Sequence, residues 1–348
     1  MIVNFIIPGD INLPTGGYRY DKRILQEWKS AGLEFNLINL EGDFPFPTNA
    51  AITDALKSIK TLPEADISVV DGLAGGAIPE FMEQLAERSP VVSLLHHPLC
   101  LETGLSRSQA KNLEQRERRG LTHVTGIVTT SQATKTIVAD LFGVKASCID
   151  TVLPGVERGE LSKPHQDGPF RLLCIGSLIE RKGHKYLVEA LGMLPDIDWT
   201  LDCFGMQDVY SDVYKEVTHL IKAKGLTDRV TLHGAVSDQE IEHAYKDAHL
   251  FVLPSLYEGY GMAYAEAIVR GLPVIGTNAG AIPDTVPDTC GLLVEPMNSG
   301  QLKGAIQKML SGNGTLDRFK AGCLTAAEQF PTWEKSAVKF KTILENWS

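Results

Sequence analysis

The sequence has no Cys-x-x-Cys pair. Its cysteines, Cys100, Cys148, Cys174, Cys203, Cys290 and Cys323, are scattered and mostly sit in apolar segments. That excludes a paired-cysteine metal centre and points to reduced core thiols of a cytoplasmic protein. No apolar run approaches the roughly 20 residues needed to span a bilayer. The opening Met-Ile-Val-Asn-Phe-Ile-Ile-Pro lacks a basic leader and a small-residue cleavage site, so it reads as a first strand and not as a signal peptide. Positive charge is in deficit too. With 33 Lys and Arg against 43 Asp and Glu, the net charge is −10, which argues against nucleic acid as a principal partner. Nor does any G-x-G-x-x-G follow a strand. The nearest approach, Asp71-Gly72-Leu73-Ala74-Gly75-Gly76, has the wrong spacing, which sets aside a dinucleotide-binding dehydrogenase. This segment either lines a cleft or makes a tight, closely packed turn.

What is present is alternation. A chain of 348 residues exceeds what one hydrophobic core usually serves, and 43% apolar residues can fill two. Apolar runs predict strands at 2–7, 34–40, 67–70, 91–95, 127–130 and 148–153, with helical periods between them at 23–30, 77–88 and 133–141. Residues 157–169 are rich in Gly, Pro, Lys and Asp and read as a linker. A second series follows, with strands at 172–175, 199–204, 230–232, 250–253, 274–275 and 292–294. Two such series predict two doubly wound parallel sheets of α/β class, each binding ligands at its strands' carboxyl ends, so that two facing domains would form a cleft.

The most informative stretch is 254–267, Pro-Ser-Leu-Tyr-Glu-Gly-Tyr-Gly-Met-Ala-Tyr-Ala-Glu-Ala. An apolar run ends at Pro254 and Ser255, a loop with Gly259 and Gly261 follows, and a helix is predicted over 262–270, stopped by Gly271. Glycines there let the backbone approach a ligand, and the free N–H groups of a first helical turn favour an anion such as a diphosphate. Glu266 lies among Ala265, Ala267 and Ile268, where a buried carboxylate costs roughly several kcal/mol unless something hydrogen-bonds to it. Vicinal sugar hydroxyls are a natural partner.

Two glutamates with seven residues between them, Gly-Tyr-Gly after the first and Gly-Leu-Pro-Val-Ile after the second, resemble the signature of the retaining, nucleotide-sugar-dependent glycosyltransferases of family 4, of GT-B fold. The resemblance implies that Glu258 holds hydroxyls of the donor sugar and Glu266 those of the nucleotide ribose, with Gly259, Tyr260, Gly261 and Met262 forming the loop around the donor. It extends to 175–184, where the family's lysine matches Lys182. The position of the family's arginine holds Ser177, so either Arg181, next to the lysine, supplies the missing fork or the diphosphate is held by one cation and backbone amides. Gly16 and Gly17, in Pro14-Thr15-Gly16-Gly17-Tyr18, resemble the family's glycine-rich loop beside the diphosphate and acceptor. His96 or His97, after the 91–95 strand, would face the donor sugar near the reacting carbon, and His97 is favoured. Without H-E-x-x-H or paired cysteines, zinc is not expected there. Weaker echoes are Pro154-Gly155-Val156 and Gly280-Ala281-Ile282-Pro283-Asp284, the latter with Asp284 in place of the usual Glu.

From this resemblance follow expected domains at 1–160 (acceptor-binding), 161–330 (donor-binding) and 331–348 (a helix from Trp333 crossing back to the first). The expected reaction moves a hexose from a UDP- or GDP-linked sugar to a lipid, lipid-linked or saccharide acceptor, without a metal or other cofactor. A GT-B epimerase or phosphorylase, or a non-catalytic sugar-nucleotide-binding protein, would share the architecture. Arg107, Lys111, Arg116, Arg118 and Arg119, on a helix between Ser106 and Gly120, offer contact to anionic headgroups and a peripheral place at the inner face of the membrane. Glu114 and Glu117 interrupt that patch, as they would a solvated face of mixed charge.

Overall fold

The structure, a computed structural model, describes residues 1–13, 15–165 and 167–348. It forms two compact units, Met1–Gly155 with Pro331–Ser348, and Val156–Phe330. The first unit holds six parallel strands: β1 (Ile2–Pro8), β2 (Glu34–Leu40), β3 (Ile67–Asp71), β4 (Val91–Leu95), β5 (Gly126–Thr129) and β6 (Ile149–Thr151). Their order is β2-β1-β3-β4-β5-β6. The second unit holds β7 (Phe170–Ile175), β8 (Trp199–Phe204), β9 (Val230–Gly234), β10 (Leu250–Val252), β11 (Val274–Thr277) and β12 (Gly291–Val294), in the order β12-β11-β10-β7-β8-β9. Both sheets are parallel and flanked by helices, as the alternation predicts, and each reverses its winding once. The reversal lies between β1 and β3 in the first sheet and between β7 and β10 in the second. At such a crossover the connecting loops diverge to opposite faces and leave a crevice outside the strands' carboxyl ends.

A parallel sheet covered on both faces needs strands that are apolar throughout. β10 shows this, because Leu250, Phe251 and Val252 are all fully buried, each contributing roughly 1.5–3 kcal/mol. Around them pack Trp199, Tyr245 and Tyr264. In the first unit the helix Trp333–Trp347 packs on the helix Gly16–Ser30. Trp28 donates from Nε1 to the Ala337 carbonyl at 3.0 Å, and its ring meets Phe340 edge-on at 5.2 Å. A Cβ on Gly155 would lie 2.3 Å from the Trp333 backbone, so only glycine permits that approach.

Several expectations are corrected. The helix expected at 77–88 spans Pro79–Ala86, and a short helix not expected from the sequence, Gly72–Ala77, precedes it, the two separated because Pro79 holds Ile78 out of helical geometry (ψ 76°). The Asp71–Gly76 segment is accordingly no turn: Asp71 caps the first of these helices, its Oδ1 accepting from the Leu73 N–H at 2.8 Å. The segment read as a linker is packed against the second unit. Within it, the Ser162 N–H donates to the Arg270 carbonyl and the Lys163 N–H to the Lys246 carbonyl, both at 2.8 Å. Its composition signals lack of regular structure, which is not the same as freedom. Cys148 is exposed, while the other five cysteines are buried and free.

Candidate functional site

At the crossover of the second sheet two loops converge. After β7 the chain makes a short turn, Glu180–Lys182, closed by Gly183 at φ +69°. A side chain at Gly183 would place its Cβ 2.2 Å from the Pro254 carbonyl oxygen, so glycine is what lets this turn lie against the end of β10. The Leu256 N–H donates to the Arg181 carbonyl at 2.7 Å and ties the two loops together. The result is a buried ionic cluster. Glu258, 6% exposed, accepts from Lys182 Nζ at 2.6 Å, from Ser255 Oγ at 2.6 Å and from Arg181 Nη1 at 3.3 Å. Arg181 Nη1 also donates to the Tyr257 carbonyl at 3.0 Å. Burial pushes the Glu258 carboxyl up, but Lys182 and then Arg181, with the hydrogen bonds from Lys182 and Ser255, outweigh it and hold it below the usual carboxylate range.

Gly261, at φ +90°, opens the helix Met262–Val269, whose amino end no side chain caps. Tyr260 is buried beside it and Gly259 half-buried, and burial raises the Tyr260 phenol. One helical face further along, buried Glu266 accepts from Tyr245 Oη at 3.1 Å, which supplies the partner its burial demands. Ser177 lies on the loop after β7, with its carbonyl accepting from the Ile179 N–H. Sequence reasoning missed Ser255 and Tyr245. Ser255 is three residues before Glu258 and was readable as a local partner, whereas Tyr245 lies on the separate helix Asp238–Asp247 and gives no signal of its own.

The crossover of the first sheet carries a second cluster. Asp71 ends β3, His96 follows β4, and the Asp71–Leu94 register sets the two beside each other. Asp21 comes from the helix Gly16–Ser30. His96 Nε2 lies 3.2 Å from Asp21 Oδ1 and 3.4 Å from Asp71 Oδ2. Asp21 is fully buried and His96 keeps 20% of its side chain exposed. Burial would lower the imidazole, but Asp21 and then Asp71, by charge and hydrogen bonding, push it up to about 10. Burial raises Asp21 to about 6 against the pull of His96. Among the described residues these three are the group whose ligating atoms lie close enough, within 4.8 Å, to hold a metal ion. An imidazolium fits that geometry without one, since its N–H donates where a metal ligand would need a lone pair.

Gly16 and Gly17 are not a loop, as the sequence led us to expect, but the first turn of the helix capped by Thr15, because the Thr15 hydroxyl accepts from the Tyr18 N–H at 3.3 Å. Pro14 lies outside the described residues. Gly17 sits against His96, where an added Cβ would come within 3.1 Å of the ring. His97, the favoured histidine, points elsewhere: its Nε2 lies 2.9 Å from Glu102. The basic helix is also corrected. On the helix Arg107–Gly120, Arg119 pairs with Glu80 and Glu83 at 2.6 and 2.9 Å, and Arg118 bonds the Leu141 and Phe142 carbonyls. Glu117 is buried and accepts from the Leu99 and Cys100 N–H groups at 2.7 and 3.0 Å. Two of the five cations are therefore engaged within the unit, and nothing supports a membrane contact here. Among the described residues no helix is long and apolar enough to cross a membrane.

Residues 159–322 match the family described as glycosyl transferases group 1. The chain is 26% identical over 288 residues to a D-inositol 3-phosphate glycosyltransferase of Paenarthrobacter aurescens, covering 77% of this chain and 68% of the relative. It is 30% identical over 224 residues to a GDP-mannose-dependent alpha-(1-6)-phosphatidylinositol monomannoside mannosyltransferase of Mycobacterium tuberculosis, covering 58% and 56%. The chain thus spans between about half and two thirds of the length of these curated relatives. Among solved structures, sucrose-phosphate synthase from Thermosynechococcus elongatus superposes with a TM-score of 0.82 at 19% identity, covering 99% of this chain and 98% of that one. The Anabaena protein HepE in complex with UDP gives 0.78 at 18%, covering 99% and 100%. These likenesses show the fold.

Proposed function

From the premise that this chain is a GT-B glycosyltransferase related to the group 1 glycosyl transferases, we propose that it moves a hexose from a UDP- or GDP-linked sugar to a saccharide or lipid-linked acceptor, with retention of anomeric configuration. The observation that carries the reading is the buried Lys182–Glu258–Arg181 cluster at the crossover of the second sheet. Breaking the sugar–diphosphate bond puts negative charge on the leaving phosphate. Lys182 has three N–H donors and Arg181 five, so both can keep Glu258 and still reach a phosphate oxygen. The uncapped amino end of the helix Met262–Val269 adds amide donors to the same charge. In this reading residues 161–330 take the donor, Glu258 its sugar hydroxyls and Glu266 the ribose. Residues 1–160 take the acceptor, and His96 or His97 is the candidate ligand-contacting side chain of that unit. Between the two histidines the geometry favours His96, which stands at the crossover beside Gly17, over His97, which is paired with Glu102.

The test is incubation with a panel of nucleotide sugars, with and without acceptor. Release of UDP or GDP that requires acceptor is expected. An epimerised sugar nucleotide, or release that ignores the acceptor, would sink the reading, as would a melting temperature that neither UDP nor GDP raises.

A further inference from the structure

We propose that Asp21 and Asp71 are positioning residues that act through His96, gripping its Nε2 from two sides so that the ring meets its ligand in one orientation and through Nδ1. This rests on the proposed function and on the reading of His96 as the first unit's ligand-contacting histidine. The argument begins with Asp21. A carboxylate with no solvent exposure is costly to bury, and among the described residues Asp21 Oδ2 has no hydrogen-bond partner at all. Its other oxygen has one side-chain partner, the imidazole. Packing alone would be served better by an uncharged residue, so the acid is explained by what it does to His96. Asp71 is divided in the same way: Oδ1 caps the helix Gly72–Ala77 and Oδ2 is left for the ring.

Rigid neighbours complete the grip. Tyr20 lies edge-on to the imidazole at 5.3 Å, Gly17 packs so closely that an added Cβ would push on the ring from 3.1 Å, and the Thr130 hydroxyl donates to the His96 carbonyl. The titratable groups around the ring are Asp21, Tyr18 and Tyr20 from the helix Gly16–Ser30 and Asp71 from β3, with His97 and its partner Glu102 next in the chain. Burial raises both phenols, Tyr18 to about 12, so they stay neutral and the balance of charge lies with the two acids and the imidazole. With Nε2–H shared between the acids, Nδ1–H remains as a charged donor for a hydroxyl or phosphate oxygen, a stronger contact than a neutral imidazole makes.

The experiment follows the His96 ring nitrogens by NMR in the full chain from pH 5 to above 10, beside kcat at pH 6 and pH 8. It uses the wild type and the isosteric variants Asp21→Asn and Asp71→Asn, the latter able to keep its helix cap. The wild-type ring is expected to stay protonated beyond pH 8. In each variant its titration should fall toward the ordinary value of about 6.5, and kcat at pH 8 should drop by about tenfold. The drop should largely vanish at pH 6, where the ring protonates again, with UDP and GDP affinity unchanged. A titration unmoved in both variants overturns the proposal, as does a loss of kcat equal at both pH values. His96→Gln separates the two levels: wild-type turnover there overturns the role of His96 itself, whatever the titration of the aspartate variants shows.

Discussion

The two sheet crossovers solve one problem with opposite signs. In the second unit a buried anion, Glu258, is held by two cations, Lys182 and Arg181. In the first a buried imidazolium, His96, is held by two anions, Asp21 and Asp71. The topology supplies the crevice in both cases, and the side chains decide what each can take. The second cluster pairs two cations with one carboxylate and so carries net positive charge. The first pairs two carboxylates with one imidazole and so carries net negative charge. Two sheets of related winding thus carry clusters of opposite charge because of three side chains each.

The largest break in this symmetry should come from Lys182→Ala. It removes the closer of the two cations from buried Glu258, so it should cost both stability, by about 3 kcal/mol, and diphosphate binding, by tenfold or more. Adding Glu258→Gln should recover most of the melting temperature but none of the UDP or GDP affinity, measured by calorimetry. Recovery of both would mean that Lys182 serves only the glutamate.

A smaller effect is expected from Arg181→Ala, because its contact to Glu258 is longer. Diphosphate affinity should weaken by about tenfold, equivalent to roughly 1.4 kcal/mol. Nucleoside monophosphate should bind nearly as it binds wild type. Equal affinity of wild type and variant for the diphosphate would make Ser177 a true loss of the family's arginine, with no replacement at Arg181.

The smallest effect, and the sharpest for the comparison, is the pH response. Glu258 has its folded pKa below its unfolded value, so its contribution is present above about pH 4.5 and fades as pH falls through the folded value. His96 is raised from 6.5 to about 10, so its contribution is complete below pH 6.5 and is lost as pH rises toward 10. Asp21, raised to about 6, has the same sign: it favours the folded state below pH 3.8 and loses that effect as pH passes 6. Amide exchange should therefore quicken around 15–25 on the alkaline side and around 255–266 on the acid side. Loss of protection at both clusters on the same side of neutrality would refute the opposition.

The donor-side cluster was legible because its chemistry is local. Glu258, Ser255 and the glycines lie within one loop, Lys182 follows its own strand directly, and strand–loop–helix punctuation marks both places. The six-strand alternation in each half was legible for the same reason, since burial on both faces writes itself into apolar runs such as 250–253. Other features were not legible. Gly16 and Gly17 look like loop residues until Thr15 is seen to cap them into a helix, and Glu117 looks solvated until it is found under the turn after His97. Nothing in spacing couples Asp21, Asp71 and His96, which lie on three elements joined only by the crossover.

The sequence by itself therefore determined the class of fold, the family resemblance and the residues of the Lys182 and Glu258 loops, because each is encoded within a strand and the loop that follows it. Only the tertiary structure decided which histidine is held, by which acids and in what charge state. Those depend on distances between segments 25 to 75 residues apart in the chain, and on the loss of water around them, neither of which a linear pattern records.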